Sequence, residues 1–69
     1  METAYKIIEV IGTSKKSWED AANIAVTTTA KSLKDLRVAE VVEMDMKIDE
    51  GKISAYRTRL RLSFKINVD

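Results

Sequence analysis

Cysteine, histidine and proline are all missing from this 69-residue chain, and only two glycines and four aromatic residues are present (one Trp, two Tyr, one Phe). Without cysteine there is no disulfide and no thiolate metal site; without histidine there is no imidazole ligand. The same two absences remove the common nucleophile and general-base sets, so enzyme activity is not expected. Lacking proline, and with glycine only at Gly12 and Gly51, the chain has no linker or low-complexity stretch. Gly12-Thr13-Ser14 lacks the lysine and second glycine of a phosphate loop. No long apolar run occurs, so neither a signal peptide nor a membrane span is expected, and the cytoplasm is the expected location. Neither sign of charge dominates: twelve basic residues against eleven acidic ones leave a net charge of +1. A nucleic-acid partner would call for a strongly basic patch, and none is expected here.

What is present is one small domain whose last segment is too long for it. A chain this size buries about 60% of its unfolded surface, and its core supplies about 3–5 kcal/mol. With disulfides and zinc excluded, oligomerisation is the remaining supplement, with or without a hard cation on oxygen ligands. From Tyr56 to Val68 the residues alternate: Tyr56, Thr58, Leu60, Leu62, Phe64, Ile66 and Val68 on one face, Arg57, Arg59, Arg61, Ser63, Lys65 and Asn67 on the other. A period of two is a strand signal, and such a strand runs about 44 Å. A compact monomer of this length has a diameter of about 28 Å. The strand overhangs its own domain, and assembly with further copies is expected.

Tyr5 to Thr13 forms a first strand with apolar groups on both faces (Ile7, Ile8, Val10, Ile11), one of which is left for a partner subunit. Gly12-Thr13-Ser14 ends it. Ser17 suits a helix N-cap, with Asp20 completing a short capping box. Glu19 and Asp20 suit the positive end of the helix dipole, Lys31 and Lys34 the other end. Trp18, Ala21, Ala22, Ala25, Thr29, Leu33 and Leu36 lie on one helical stripe, and its alanines let a sheet approach closely. The β-branched run Val26-Thr27-Thr28-Thr29 opposes helix, but caps and stripe outweigh it, giving a helix from Trp18 to about Leu33.

Arg37 to Ile48 forms a second strand. Its apolar residues Val42, Met44, Met46 and Ile48 are even-numbered, like those of the last strand, so directly opposed residues must sum to an even number. A simple two-residue loop breaks that parity. A three-residue loop, Asp49-Glu50-Gly51, satisfies it and sets Met44 opposite Tyr56, Val42 opposite Thr58 and Glu43 opposite Arg57, with Asp45 diagonal. Met44, Met46 and Tyr56 then form core against the helix. The fold class is α+β: a β-α-β-β chain, three antiparallel strands wrapped on one helix.

This order and wording resemble the dodecins. The matching residues are Tyr5-Lys6, Gly12-Thr13-Ser14, Ser17-Trp18, Ala21-Ala22, Val38-Ala39-Glu40-Val41, Gly51-Lys52, Tyr56 and Ser63-Phe64. The resemblance covers nearly the whole chain and implies a non-enzymatic protein forming a hollow homododecamer. Many dodecins hold paired flavin rings between tryptophans of symmetry-related subunits, with a glutamine at the ring edge. In this chain Val38 stands at the position of that tryptophan and Arg57 at that of the glutamine. Stacking on an aromatic contributes about 1–3 kcal/mol per ring in nucleic-acid analogues, so flavin is not expected to bind well. Trp18 is no substitute: opening the helix, it serves as a packing anchor. The wording is more similar to the branch called calcium dodecin, through Ser17-Trp18-Glu19, Arg37-Val38-Ala39, Glu43, Asp45-Met46, Asp49, Gly51-Lys52, Tyr56-Arg57 and Ser63-Phe64-Lys65.

That branch name implies calcium, which takes six to eight oxygen ligands. Glu43, Asp45 and Glu9 are the candidate ligands, if symmetry brings copies together. From the residues alone the simpler reading is cross-strand salt bridging with Arg57 and Arg59. Asp49-Glu50-Gly51 lacks the spaced ligand series of an EF-hand and suits a plain polar turn. A flavin site in altered form and a shell without a specific ligand are the alternatives to a cation-binding assembly.

Overall fold

A computed structural model of the protein describes residues 3–66. Four elements follow in the order β-α-β-β: β1 (Ala4–Ser14), α1 (Trp18–Ala30), β2 (Leu36–Asp49) and β3 (Lys52–Ile66). All strand pairs are antiparallel, and the sheet order β1-β3-β2 puts β3 in the middle. Asn67 and Val68, the end of the alternating run, lie outside the described residues. The chain measures 54 × 20 × 13 Å with a radius of gyration of 14.3 Å, against about 11 Å for a compact chain of this length. The overhang expected from strand length is present.

Alternation divides the sheet into two faces. Even-numbered residues of β1 and β3 face the helix, and Ala25, Leu60 and Leu62 form the core, with Ile8, Val10, Ala22, Val26 and Leu36 packed on it. The alanines do bring helix and sheet close. A Cβ added at Gly12 would lie 1.9 Å from the carbonyl oxygen of Ala21 and 3.0 Å from Cβ of Ala25. β1 ends within Gly12-Thr13-Ser14 as expected, at Ser14; Gly12 itself is also the point of close approach to the helix.

Ser17 caps α1 as expected, its Oγ accepting from the backbone N–H of Asp20 at 3.0 Å. The Asp20 carboxylate accepts from the hydroxyl of Ser14 at 2.6 Å, so the cap is tied to the end of β1. Within the threonine run, Thr27 and Thr29 donate their hydroxyls back to carbonyls one turn earlier, Asn23 and Ala25. The helix stops at Ala30, short of Leu33. Lys31 is the C-cap, and the N–H groups of Ser32 and Leu33 both turn back to the carbonyl of Thr29 at 3.0 Å. Lys31 thus stands at the negative end of the dipole as the cap, whereas Lys34 lies beyond the helix, whose last turn contains no basic residue. Asp35, at φ 61°, then turns the chain into β2.

The hairpin differs from the expected one. Asp49 pairs with Lys52 across a two-residue loop, with Glu50 at φ 52° and Gly51 at φ 76°. Two successive left-handed residues make the turn whose twist matches a hairpin. Parity is restored by an irregularity between Lys47 and Ile48, where Lys47 pairs with Ala55 but Ile48 with Ile53. The register is therefore displaced by two residues: Met46 faces Tyr56, Met44 faces Thr58, Asp45 faces Arg57 and Glu43 faces Arg59. Two further shifts, between Val41 and Glu43 and between Leu36 and Val38, interrupt β2. Helix α1 packs mainly on β1 and β3, so Met44 and Met46 stay 56% and 41% exposed rather than forming core within one chain.

Candidate functional site

The chemistry lies on the sheet face that α1 does not cover. There the odd-numbered residues of β3, Arg57, Arg59, Arg61 and Ser63, run down the centre between the flanking strands. β1 contributes Glu9 opposite Arg61, and β2 contributes Asp45 opposite Arg57 and Glu43 opposite Arg59. The pairing follows from the register, since opposed residues on one face approach closely.

Arg57 grips Asp45 with two parallel bonds, Nε to Oδ1 at 2.7 Å and Nη2 to Oδ2 at 2.9 Å. Arg59 lies between two carboxylates, 3.1 Å from Glu9 and 3.5 Å from Glu43. Arg61 adds a contact of 3.4 Å to Glu9. The Arg59 guanidinium holds the Glu9 carboxyl below its ordinary range by hydrogen bonding, assisted by Arg61. The Arg57 bond does the same for Asp45, and Asp45 in turn raises Arg57. All three expected cation ligands, Glu9, Glu43 and Asp45, thus sit on one face, each paired with arginine. Among the described residues no three acidic side chains converge into a metal-holding group. Oxygen donors of this type suit a hard cation, but one chain does not supply a complete shell.

At the other end of the same face lies an open cleft of about 410 Å³, lined by Tyr5, Ile7, Arg37, Val38, Glu40, Arg61 and Ser63. Val38, expected at the ligand site, is 62% exposed in it. Arg57 is not part of it. Val38 pairs with Ser63, six residues along β3 from Arg57, about 20 Å. A ligand touching Val38 and Arg57 together would have to be held by two copies. Tyr5, Ile7, Glu40 and Arg61 were not singled out from the sequence. For Tyr5 and Ile7 the signal was available, because odd numbering on β1 sets them beside Ser63 and Lys65. For Glu40 it was not, since the shift at Val42 reverses which residues of β2 share a face with Arg61.

Trp18 joins the charged face to the helix. Its indole Nε1–H donates to the backbone carbonyl of Asp45 at 2.9 Å, and its own carbonyl accepts from the buried hydroxyl of Thr58 at 2.9 Å. Its ring meets Tyr56 edge-on, with centroids 5.1 Å apart. Trp18 is the packing anchor expected of it.

These features define a class: a small β-α-β-β protein with its polar chemistry on the helix-free face of a three-stranded sheet. The chain belongs to the dodecin family, whose model, described as Dodecin, matches residues 4–67. It is 47% identical over 64 residues to the calcium dodecin of Mycobacterium tuberculosis, covering 93% of this chain and 90% of that protein. To the dodecin of Thermus thermophilus it is 32% identical over 66 residues, 96% of each. The crystal structure of the M. tuberculosis protein, described as calcium chelating with a novel calcium-binding site, matches at a TM-score of 0.83 and 51% identity, covering 93% of this chain and 91% of that one. The dodecin from Streptomyces davaonensis matches at 0.92 over 99% of this chain and 100% of that one; at 20% identity the likeness is one of fold. No helix among the described residues is long and apolar enough to cross a membrane.

Proposed function

We propose that this dodecin is a non-enzymatic small-ligand binding and storage protein of the cytoplasm, assembled as a hollow homododecamer and binding calcium or a similar divalent cation. Neither nucleic acid nor membrane is a partner in this reading. The observation that carries it is the 47% identity to a protein named calcium dodecin over 93% of the chain. The placement of Glu9, Glu43 and Asp45 on one open face supports it. Because calcium takes six to eight oxygens, carboxylates of several copies must meet around one ion. The arginines set a condition: a cation enters only where a guanidinium gives up its carboxylate. Glu43, held by one contact of 3.5 Å and with its side chain 58% exposed, is the most accessible of the three.

Calorimetry on the assembled protein, with native mass spectrometry to count subunits and bound ions, tests this reading. Calcium binding should be lost in Glu43→Gln with Asp45→Asn while the assembly persists. An unchanged affinity would place the site elsewhere. The cleft favours a second reading, a flavin site in altered form: Tyr5, Ile7 and Val38 give it apolar walls, and Arg37 and Arg61 could face a phosphate. Val38 offers no π face for a ring, and a colourless protein that fails to quench flavin fluorescence removes this reading. A shell that binds neither ligand would leave both titrations flat.

A further inference from the structure

The three arginines of the charged face differ in how many carboxylates they reach. Arg57 reaches one: both of its bonds, 2.7 and 2.9 Å, go to Asp45, and releasing that carboxylate forfeits both. Arg59 reaches two. Its Nη1 donates to Glu9 at 3.1 Å, while its Nε stands 3.5 Å from Glu43. Arg61 reaches only Glu9, at 3.4 Å. Among the described residues Glu43 has no basic partner besides Arg59 within salt-bridge distance. The register explains the asymmetry. Arg59 sits directly opposite Glu43 on β2, whereas Glu9 on β1 sits opposite Arg61, two residues further along the central strand. Arg59 therefore spans the sheet between acids of both flanking strands.

We infer that Arg59 is the residue that sets the affinity of the cation site: a built-in counter-ion that holds Glu43 in the unloaded protein and passes wholly to Glu9 when Glu43 turns to a cation. This deepens the cation reading of the proposed function and rests on it. The exchange gives up only the longer of the two contacts of Arg59, and a contact of that length between exposed groups is weak. It also leaves no guanidinium unpaired, because Glu9 stays bound throughout. The same exchange at Arg57 has no second carboxylate to receive the guanidinium. A cation at Glu43 nonetheless lies beside a like charge, and that repulsion lowers its affinity.

Calcium calorimetry on the assembled protein tests this, in about 0.15 M salt, where charges beyond about 8 Å are largely screened. Arg59→Gln removes the competitor, and affinity should rise at least threefold, a gain that a merely structural role would not produce. Arg61→Gln removes the same charge from the same face without touching Glu43, and its affinity should stay within twofold of wild type. Equal gains in the two variants, or no gain in Arg59→Gln, overturn the inference. Binding by Arg59→Gln alone would uphold it while overturning calcium binding by the native chain; no binding by either overturns both. A second measurement needs no variant protein. In proton–nitrogen spectra of arginine-labelled protein, calcium should shift the side-chain Nε–H signal of Arg59 and leave that of Arg57 in place. Bound calcium with an unmoved Arg59 signal overturns the inference and leaves the cation reading standing.

Discussion

At the scale of single residues, the paired carboxylates dictate how the protein responds to acid. Glu9 and Asp45 both have lowered pKa values in the folded state, through Arg59 and Arg57 respectively. A depressed carboxylate stabilises the fold above its unfolded pKa, and that contribution is lost as the pH falls through the folded value. The melting temperature should therefore be level from neutrality down to about pH 5 and fall below about pH 4, the ordinary carboxylate range. Glu9→Gln and Asp45→Asn should each flatten the acid limb in thermal melts followed by circular dichroism. A limb identical to wild type in both variants would mean that other groups govern it. Val38 acts at the same scale on the cleft. Val38→Trp places a π face among Tyr5, Ile7 and Arg61, and flavin mononucleotide affinity should rise by tenfold or more, given about 1–3 kcal/mol per stacked ring. Fluorescence quenching measures it; submicromolar binding by the unaltered protein would show that the aromatic is dispensable.

At the scale of elements, the approach of α1 to β1 is the most constrained contact. The Cβ of Gly12→Ala would fall on the backbone of Ala21, which cannot swing aside as a side chain can. The loss in a urea titration should lie at the upper end of the about 1–3 kcal/mol typical of overpacking. Glu50, by contrast, is open to improvement: at φ 52° it occupies a conformation that asparagine tolerates better. Glu50→Asn should stabilise by a few tenths to about 1 kcal/mol in the same titration, with no change in assembly. These two positions also mark what the sequence concealed. Order of elements, the Ser17 cap, the alanine stripe and the arginine–carboxylate face were all legible from period and residue type. The turn was not, because two solutions satisfy the same parity. A three-residue loop does so directly, and a two-residue loop does so when a bulge follows it. Side-chain pattern is blind to the difference, which moved the partners of residues 43–47 by two residues and gave Arg57 to Asp45 instead of Glu43. Likewise Gly12 looked like punctuation, since nothing in a linear pattern says that a helix will cross there. The candidate ligands were found by charge alone; the cleft around Val38 needed the register.

At the scale of the whole molecule, a chain 54 Å long and 13 Å thick is mostly surface. Its own core is formed by Ala25, Leu60 and Leu62 with a few flanking residues, and a core of this size rarely supplies more than about 3–5 kcal/mol. Stability should therefore depend on protein concentration, because folding and association are linked. Thermal melts over a hundredfold dilution series should show the midpoint fall with dilution; a midpoint independent of concentration would mean that the single chain stands alone.

The shift at Val42 has a consequence of its own. It acts as a phase step in the strand: residues 43–46 keep one alternation and residues 38–41 the opposite one. The carboxylates of the hairpin half and the lining of the cleft are thereby addressed separately, though both lie on one strand. Were Val42 paired in register instead of bulged out, Glu43 and Asp45 would stay in place while Val38 turned from the cleft to the helix side. One residue of backbone length thus sets what the cleft presents, independently of the charged row beside it.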